Sequence, residues 1–328
     1  MNRLKNIDIL RVIGLLCIIL AHVKPNDIIF QLRNFDVVLM IMISTYLFII
    51  NNKNNSKINF IKYLKKRVKR LLIPTWIFLI IYFIISSIFI KYNIKTIISS
   101  FLLHEGIGYV WIIRIYLIVA IMLPIMYKLL NKGNITYFFV ILIYFFYELV
   151  ANTQIFNINI FMSDVVAYIA PLALIITITY WIMNNDTKKI TMFSLFNLLI
   201  CIICFLIIYI KTGKIENTNY MKYPFRIYYL SYAFFVSSIL ILICRNNKIV
   251  NFLYNNLIEF ISKSSLWIYL WHIFFIKLFD KITINLNWTI RYCMILLLSI
   301  LVTYIQNKIV FGLEKKGINK ELLSAFKG

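Results

Sequence analysis

The chain has 328 residues, of which 62% are hydrophobic and only 14% charged, with 8 Gly and 5 Pro. Soluble domains need a more polar exterior than this, so the solvent for most of the chain is lipid. The formal charge of +23 raises a nucleic-acid reading, which the absence of any folded polar surface to carry it excludes.

Apolar runs of about seventeen residues or more recur from end to end, each able to cross roughly 30 Å of hydrocarbon as a helix. They imply an all-α integral membrane protein rather than a barrel. The predicted spans are 7–23, 35–50, 71–90, 107–127, 135–151, 165–183, 194–210, 225–244, 264–279 and 287–311, giving about ten transmembrane helices. Most of the 35 Lys and Arg fall in the N-terminus, the even-numbered connections and the C-terminal tail. That asymmetry places both termini in the cytoplasm.

The first span is expected to be retained, since no convincing small-residue cleavage site follows it. The connections are short, so residues 1–328 are read as one multi-pass domain without a soluble extension. No internal repeat of the kind that marks many transporters is evident, and Pro124 and Pro171 are candidate kinks. Cys17, Cys201, Cys204, Cys244 and Cys293 all fall in or at the ends of predicted helices, where thiols pack as small apolar groups; no disulfide framework and no metal site is expected. The Lys, Asn and Ile richness suits an AT-rich bacterial genome, and the expected location is the cytoplasmic membrane.

In chain order, the first helix carries the strongest chemical signal, because a charge inside a bilayer costs about 2.5–3.5 kcal/mol on insertion scales. Arg11 and His22 lie close to three full turns apart, on one face and roughly 16 Å apart along the axis. With the N-terminus inside, Arg11 is near the cytoplasmic surface and His22 near the outer one. A neutral imidazole there has the form needed to take a proton or to attack a thioester. The plainer reading is an interfacial His at a helix end, with Arg11 snorkelling to headgroups. Asp8 is placed to pair with Arg11 at i, i+3.

Entering the third predicted span, Arg67-Val-Lys-Arg70 puts two guanidinium forks on one helical face, suited to phosphate. An ordinary basic stop signal looks the same, and Lys62, Lys65, Lys66 and Lys69 beside them would attract anionic lipid headgroups. On the outward side by topology fall Asp36, Arg114, Glu148, Asp164, Arg226 and Arg291. Singly, each is explained by interfacial exposure; together they would line a polar cavity for a sugar, with Trp111 as a stacking surface. His104, beside Glu105, is a candidate acceptor contact. His272, near mid-membrane, either bonds across helices or assists catalysis.

Arg11 with His22, and Arg67 with Arg70, together resemble the membrane acyltransferase 3 family, whose members carry an Arg, ten residues and a His in the first helix and Arg-x-x-Arg entering the third. Two weaker patches, Gly108 to Pro124 around Trp111 and Arg114, and Ser265-Leu-Trp-Ile-Tyr269-Leu-Trp-His272, are similar to further family segments. Met42-Ile-Ser44-Thr45 departs from the family's Phe-rich run ending Ser-Gly, and Trp111-Ile-Ile replaces the commoner Trp-Phe-Leu. The resemblance implies transfer of an acyl group, most often acetyl, from cytoplasmic acyl-CoA to a hydroxyl of a surface glycan or its lipid-linked precursor. It implies acetyl-CoA as a donor substrate and no permanently bound cofactor, with His22 as general base or transient acyl carrier and Arg67 and Arg70 on the donor's phosphates. A transporter or flippase for a lipid-linked glycan, or a scaffold subunit, fits ten helices equally well.

Overall fold

The computed structural model describes residues 4–53, 59–88, 90–104, 106–151, 153, 155, 159–282 and 286–327. Among them there is no strand. The helices are α1 (Lys5–His22), α2 (Asp27–Leu32), α3 (Asp36–Asn52), α4 (Phe60–Ser86), α5 (Ile94–Phe101), α6 (Trp111–Leu130), α7 (Ile135–Val150), α8 (Ala167–Met183), α9 (Thr187–Thr212), α10 (Ile227–Ile243), α11 (Asn247–Leu253), α12 (Asn256–Lys263), α13 (Ser265–Ile282), α14 (Trp288–Lys315) and α15 (Lys320–Leu323). The abundant Asn has a local use: Asn26, Asn59, Asn93, Asn246, Asn255 and Asn287 each cap a helix start by accepting from a backbone N–H two or three residues on. Gly213, at φ 66°, ends α9 in the left-handed conformation that suits glycine.

Helices occupy all ten segments predicted as spans, but length and composition qualify fewer as crossings. Among the described residues six helical stretches are long and apolar enough, namely Asp27–Asn52, Phe60–Ser86, Trp111–Leu130, Met162–Met183, Thr187–Thr212 and Trp288–Lys315; α10 with α11, bent by 90°, makes a seventh if the pair is one span. The others fall short for identifiable reasons. α7 has 16 residues, while α1 carries Lys5, Asp8 and Arg11, and α13 carries Lys277, Asp280 and Lys281.

The chain forms two compact units, each assembled from separated segments. The first comprises Met1–Ile18, Asn26–Ile58 and Ile118–Tyr254; the second comprises Ile19–Pro25, Asn59–Leu117 and Asn255–Gly328. In the first, α10 packs on α9 and α3, and α8 packs on α3 and α7. Val38, Leu39 and Ile41 of α3 and Leu172 and Ile175 of α8 are fully buried there. In the second, α13 is the hub, touching α4, α12 and α14.

The peripheral helices are inside-out. α9 exposes Leu195, Phe196, Leu199, Ile202, Ile203 and Leu206 while burying Ser194 and Asn197. α14 likewise buries Ile295, Ser299, Thr303 and Val310. The hydroxyls of Ser299 and Thr303 donate to the carbonyls of Ile295 and Ser299, at 2.6 and 2.7 Å, so no polar group on that stripe is left to lipid.

One polar knot fixes the first unit. Asp36, at the start of α3, is buried between Arg33 (3.0 Å) and Lys222 (3.2 Å). Lys222 also donates to Asn34, whose amide donates to Thr218 at 2.8 Å. Burial pushes the Lys222 ammonium down to about 8, with the Asp36 carboxylate acting against that. Replacing Asp36 with Ala leaves two buried cations without a counter-charge. The expected loss is about 3–5 kcal/mol of stability, measured by reversible unfolding in mixed micelles; an unshifted midpoint would mean that the knot does not hold α3.

Candidate active site

The second unit brings together three segments far apart in sequence. His22 is the last residue of α1, after which Lys24 turns the chain at φ 54°. His272 lies on α13 and is fully buried. Tyr109 is supplied by the connection between α5 and α6. The Nδ1 of His22 and the Nε2 of His272 are 2.9 Å apart, with ring centroids 5.2 Å apart and planes within 15° of parallel. The Tyr109 ring stands edge-on to His22, centroids at 4.7 Å. Lys277, five residues past His272 on α13, holds its ammonium 5.2 Å from the centre of the Tyr109 ring.

Tyr269 ties this group together twice. Its hydroxyl donates to the backbone carbonyl of Tyr109, and its own carbonyl accepts from the Nδ1 of His272. The connection before Tyr109 is equally specified. The Ser100 hydroxyl donates to Thr96 O at 2.8 Å and accepts from Ile107 N at 3.0 Å, while Leu103 and Gly106 take φ of 58° and 44°. Arg114 donates to Leu103 O at 3.3 Å, and Trp111 is the first residue of α6.

A second feature of the same unit is a cationic cavity of about 340 Å³, lined by Lys66, Lys69, Arg70, Lys263 and Lys327 together with Ser265 and Ser324. Pro74 also lines it, and by lacking an N–H it leaves the carbonyl of Arg70 outside the helical ladder. The chain's last described residues are held there by α13 and α14. Trp267 Nε1 donates to Ala325 O at 3.1 Å, and Gln306 Nε2 to Phe326 O at 2.8 Å. Lys263 and Lys327 also touch Glu259 (2.5 Å) and Glu314 (2.6 Å).

The remaining sequence candidates have these places. Arg67 does not line the cavity; its guanidinium lies 5.5 Å from the Tyr63 ring. Arg11 pairs with Asp8 at 3.9 Å, and Asp8 also accepts from Tyr254 at 3.5 Å. Glu148 accepts from Arg226 Nε (3.0 Å), Ile227 N (3.1 Å) and Tyr144 (3.2 Å) in the first unit, as fully engaged as Asp36 is. Asp164 accepts from Ser163 at 3.4 Å, and Arg291 is paired with Asp280 in the second unit. His104 is half-buried, and Glu105 lies outside the described residues.

Tyr109, Tyr269 and the lysines at 263 and 327 are absent from the sequence-level site. Tyr269 had a signal, since it precedes His272 by one helical turn. The two lysines had none, because their partners on α4 lie some two hundred residues away or more.

A family model described as an acyltransferase domain matches residues 4–306. No curated protein and no solved structure matches significantly.

The placement of Tyr109 depends on Gly106. A Cβ there would overlap both the side chain and the backbone of Ser100, on a backbone already in the left-handed region. Gly106→Ala is expected to cost about 1–3 kcal/mol and to open the connection to protease in detergent; cleavage and melting unchanged from the parent would contradict this account of the loop.

Proposed function

The chain belongs to the membrane acyltransferase 3 family, and from that premise we propose that it moves an acyl group, most often acetyl, from acyl-CoA to a hydroxyl of a surface glycan or its lipid-linked precursor. The observation that carries this is the contact of His22 with His272 in one cluster with Tyr109. A multi-pass membrane protein with an imidazole so held has the base that acyl transfer to a hydroxyl needs. In the reaction, His22 takes the proton from the acceptor hydroxyl as its oxygen attacks the thioester carbonyl. The C–O bond forms, the C–S bond breaks, and the proton passes from His22 to the departing thiolate.

The donor's phosphates bind in the cationic cavity, on Arg70 with Lys66, Lys69, Lys263 and Lys327. Ser265 at its wall and His272 are on the same helix, roughly 10 Å apart along the axis, within reach of an extended pantetheine arm. Arg67 supports the same segment through Tyr63. Arg11, held by Asp8, is the cation of the first-helix motif. The lysine and arginine asymmetry supports ten crossings with both termini in the cytoplasm of a bacterial cell, which puts the donor inside and the glycan acceptor outside. Trp111 and Arg114, close in sequence to Tyr109, are the acceptor-side residues this reading favours. Asp36 and Glu148, with their oxygens engaged, are given supporting roles.

Membranes incubated with radiolabelled acetyl-CoA and the cell's own glycan test the proposal. His22→Ala at equal expression is expected to lose at least about 100-fold in label transfer, and undiminished incorporation would sink the mechanism in which His22 is the base. Arg70→Ala combined with Lys66→Ala is expected to raise the KM for the donor about tenfold, with the acceptor KM unmoved. Equal changes in both would remove the phosphate role.

A further inference from the structure

The hydrogen bonds around His272 have a direction. A backbone carbonyl only accepts, so the His272 Nδ1 facing Tyr269 O carries the hydrogen. With that ring neutral, its Nε2 has a lone pair and no hydrogen. The 2.9 Å contact with His22 Nδ1 is then a hydrogen bond only if His22 donates. A neutral His22 that donates from Nδ1 has its basic lone pair on Nε2.

We propose that His272 is the positioning residue that selects this tautomer of His22, fixing Nε2 as the atom that takes the acceptor's proton. It rests on the acyl-transfer reading of His22 and names a residue and an atom that the reading leaves unassigned. The helical register supports it. His272 can meet a carbonyl of its own helix and an imidazole of another only because its two nitrogens point in different directions.

When His22 becomes an imidazolium, its Nδ1–H stays bonded to the His272 lone pair. His272 itself neither gains nor loses a proton over the cycle, because the chain of bonds ends on a carbonyl that cannot take one. The arrangement follows the logic by which a buried acceptor orients the base of a hydrolytic triad, with a neutral imidazole in place of a carboxylate. Tyr269, by holding His272 through its carbonyl and Tyr109 through its hydroxyl, couples the tautomer to the ring packed against His22.

The chain has 3 histidines, so the tautomers can be read directly. Full-length protein labelled with ¹⁵N-histidine in lipid bilayers is examined by solid-state NMR, the His104 signals being identified by their loss in His104→Asn. Both remaining residues are expected as the Nδ1–H tautomer; a His22 protonated on Nε2 overturns the proposal. In His272→Leu the His22 signals are expected to move towards the Nε2–H form that imidazoles favour in water, and an unchanged His22 tautomer also overturns it. With acetyl-CoA and glycan, kcat in His272→Leu is expected to fall about 100-fold with donor KM within about twofold. His272→Gln, whose amide oxygen can accept from His22, is expected to recover to within about tenfold of the parent. Equal loss in Leu and Gln assigns His272 a packing role only. Full activity in His22→Ala, by contrast, removes His22 as the base of the transfer and leaves the NMR result standing.

Discussion

The contact between His22 and His272 is the interaction on which the rest of the candidate site depends, since everything near it is arranged to leave it one geometry. His272 is fully buried on the helix at the hub of its unit, where a polar ring without partners would be costly. Its two nitrogens are satisfied by Tyr269 O and by His22. Tyr269 is placed by the Tyr109 carbonyl, and Tyr109 is placed by a turn that Ser100 and Gly106 build. A change anywhere along this sequence of contacts reaches the imidazole of His22, which is how a loop far from the first helix in sequence takes part in its chemistry.

The same demand, that a buried polar group find a partner, is met at two of the acidic residues. Asp36 and Glu148 look like candidate acceptor contacts because they are acids near helix ends. In the folded chain Asp36 lies between two cations and Glu148 accepts from three donors. A carboxylate held this way stabilises its surroundings and has little left to offer a ligand. The cations around Arg70 are different in kind: Lys66, Lys69 and Arg70 come from one helix face, and more positive charge converges on the cavity than Glu259 and Glu314 offset.

Much of this was legible in the sequence, for physical reasons that also mark where legibility stopped. Hydropathy placed a helix in each of the ten predicted segments because lipid demands unbroken runs, although only six or seven are long and apolar enough to cross, and the bend between α10 and α11 carried no such mark. Arg11 and His22 stood out because charge and imidazole are rare in such runs, and Arg67 and Arg70 by their spacing at the entry to one. Residue spacing on a helix predicted the pairing of Asp8 with Arg11, present at 3.9 Å. The same reasoning grouped Arg67 with Arg70, but only Arg70 lines the cavity, since the tyrosine one turn earlier draws Arg67 aside. Contacts between His22 and His272, or between α4 and the C-terminal segment, join positions whose proximity no local pattern encodes.

The cavity and the histidine pair share one helix, and this bears on how the proposed acyl transfer would be organised. Ser265 and Leu266 form part of the cavity wall at the start of α13, while His272 and Lys277 lie further along the same helix. Under the proposed reading, a donor seated in the cavity would lie against the helix that carries His272. The segment at Ala325 and Phe326, fastened to Trp267 and Gln306, closes the wall from the other side and carries Lys327 into it. The cavity wall and His272 therefore share one helix. A thioester that arrives without its phosphates engaged would meet the same imidazole on a helix less firmly held.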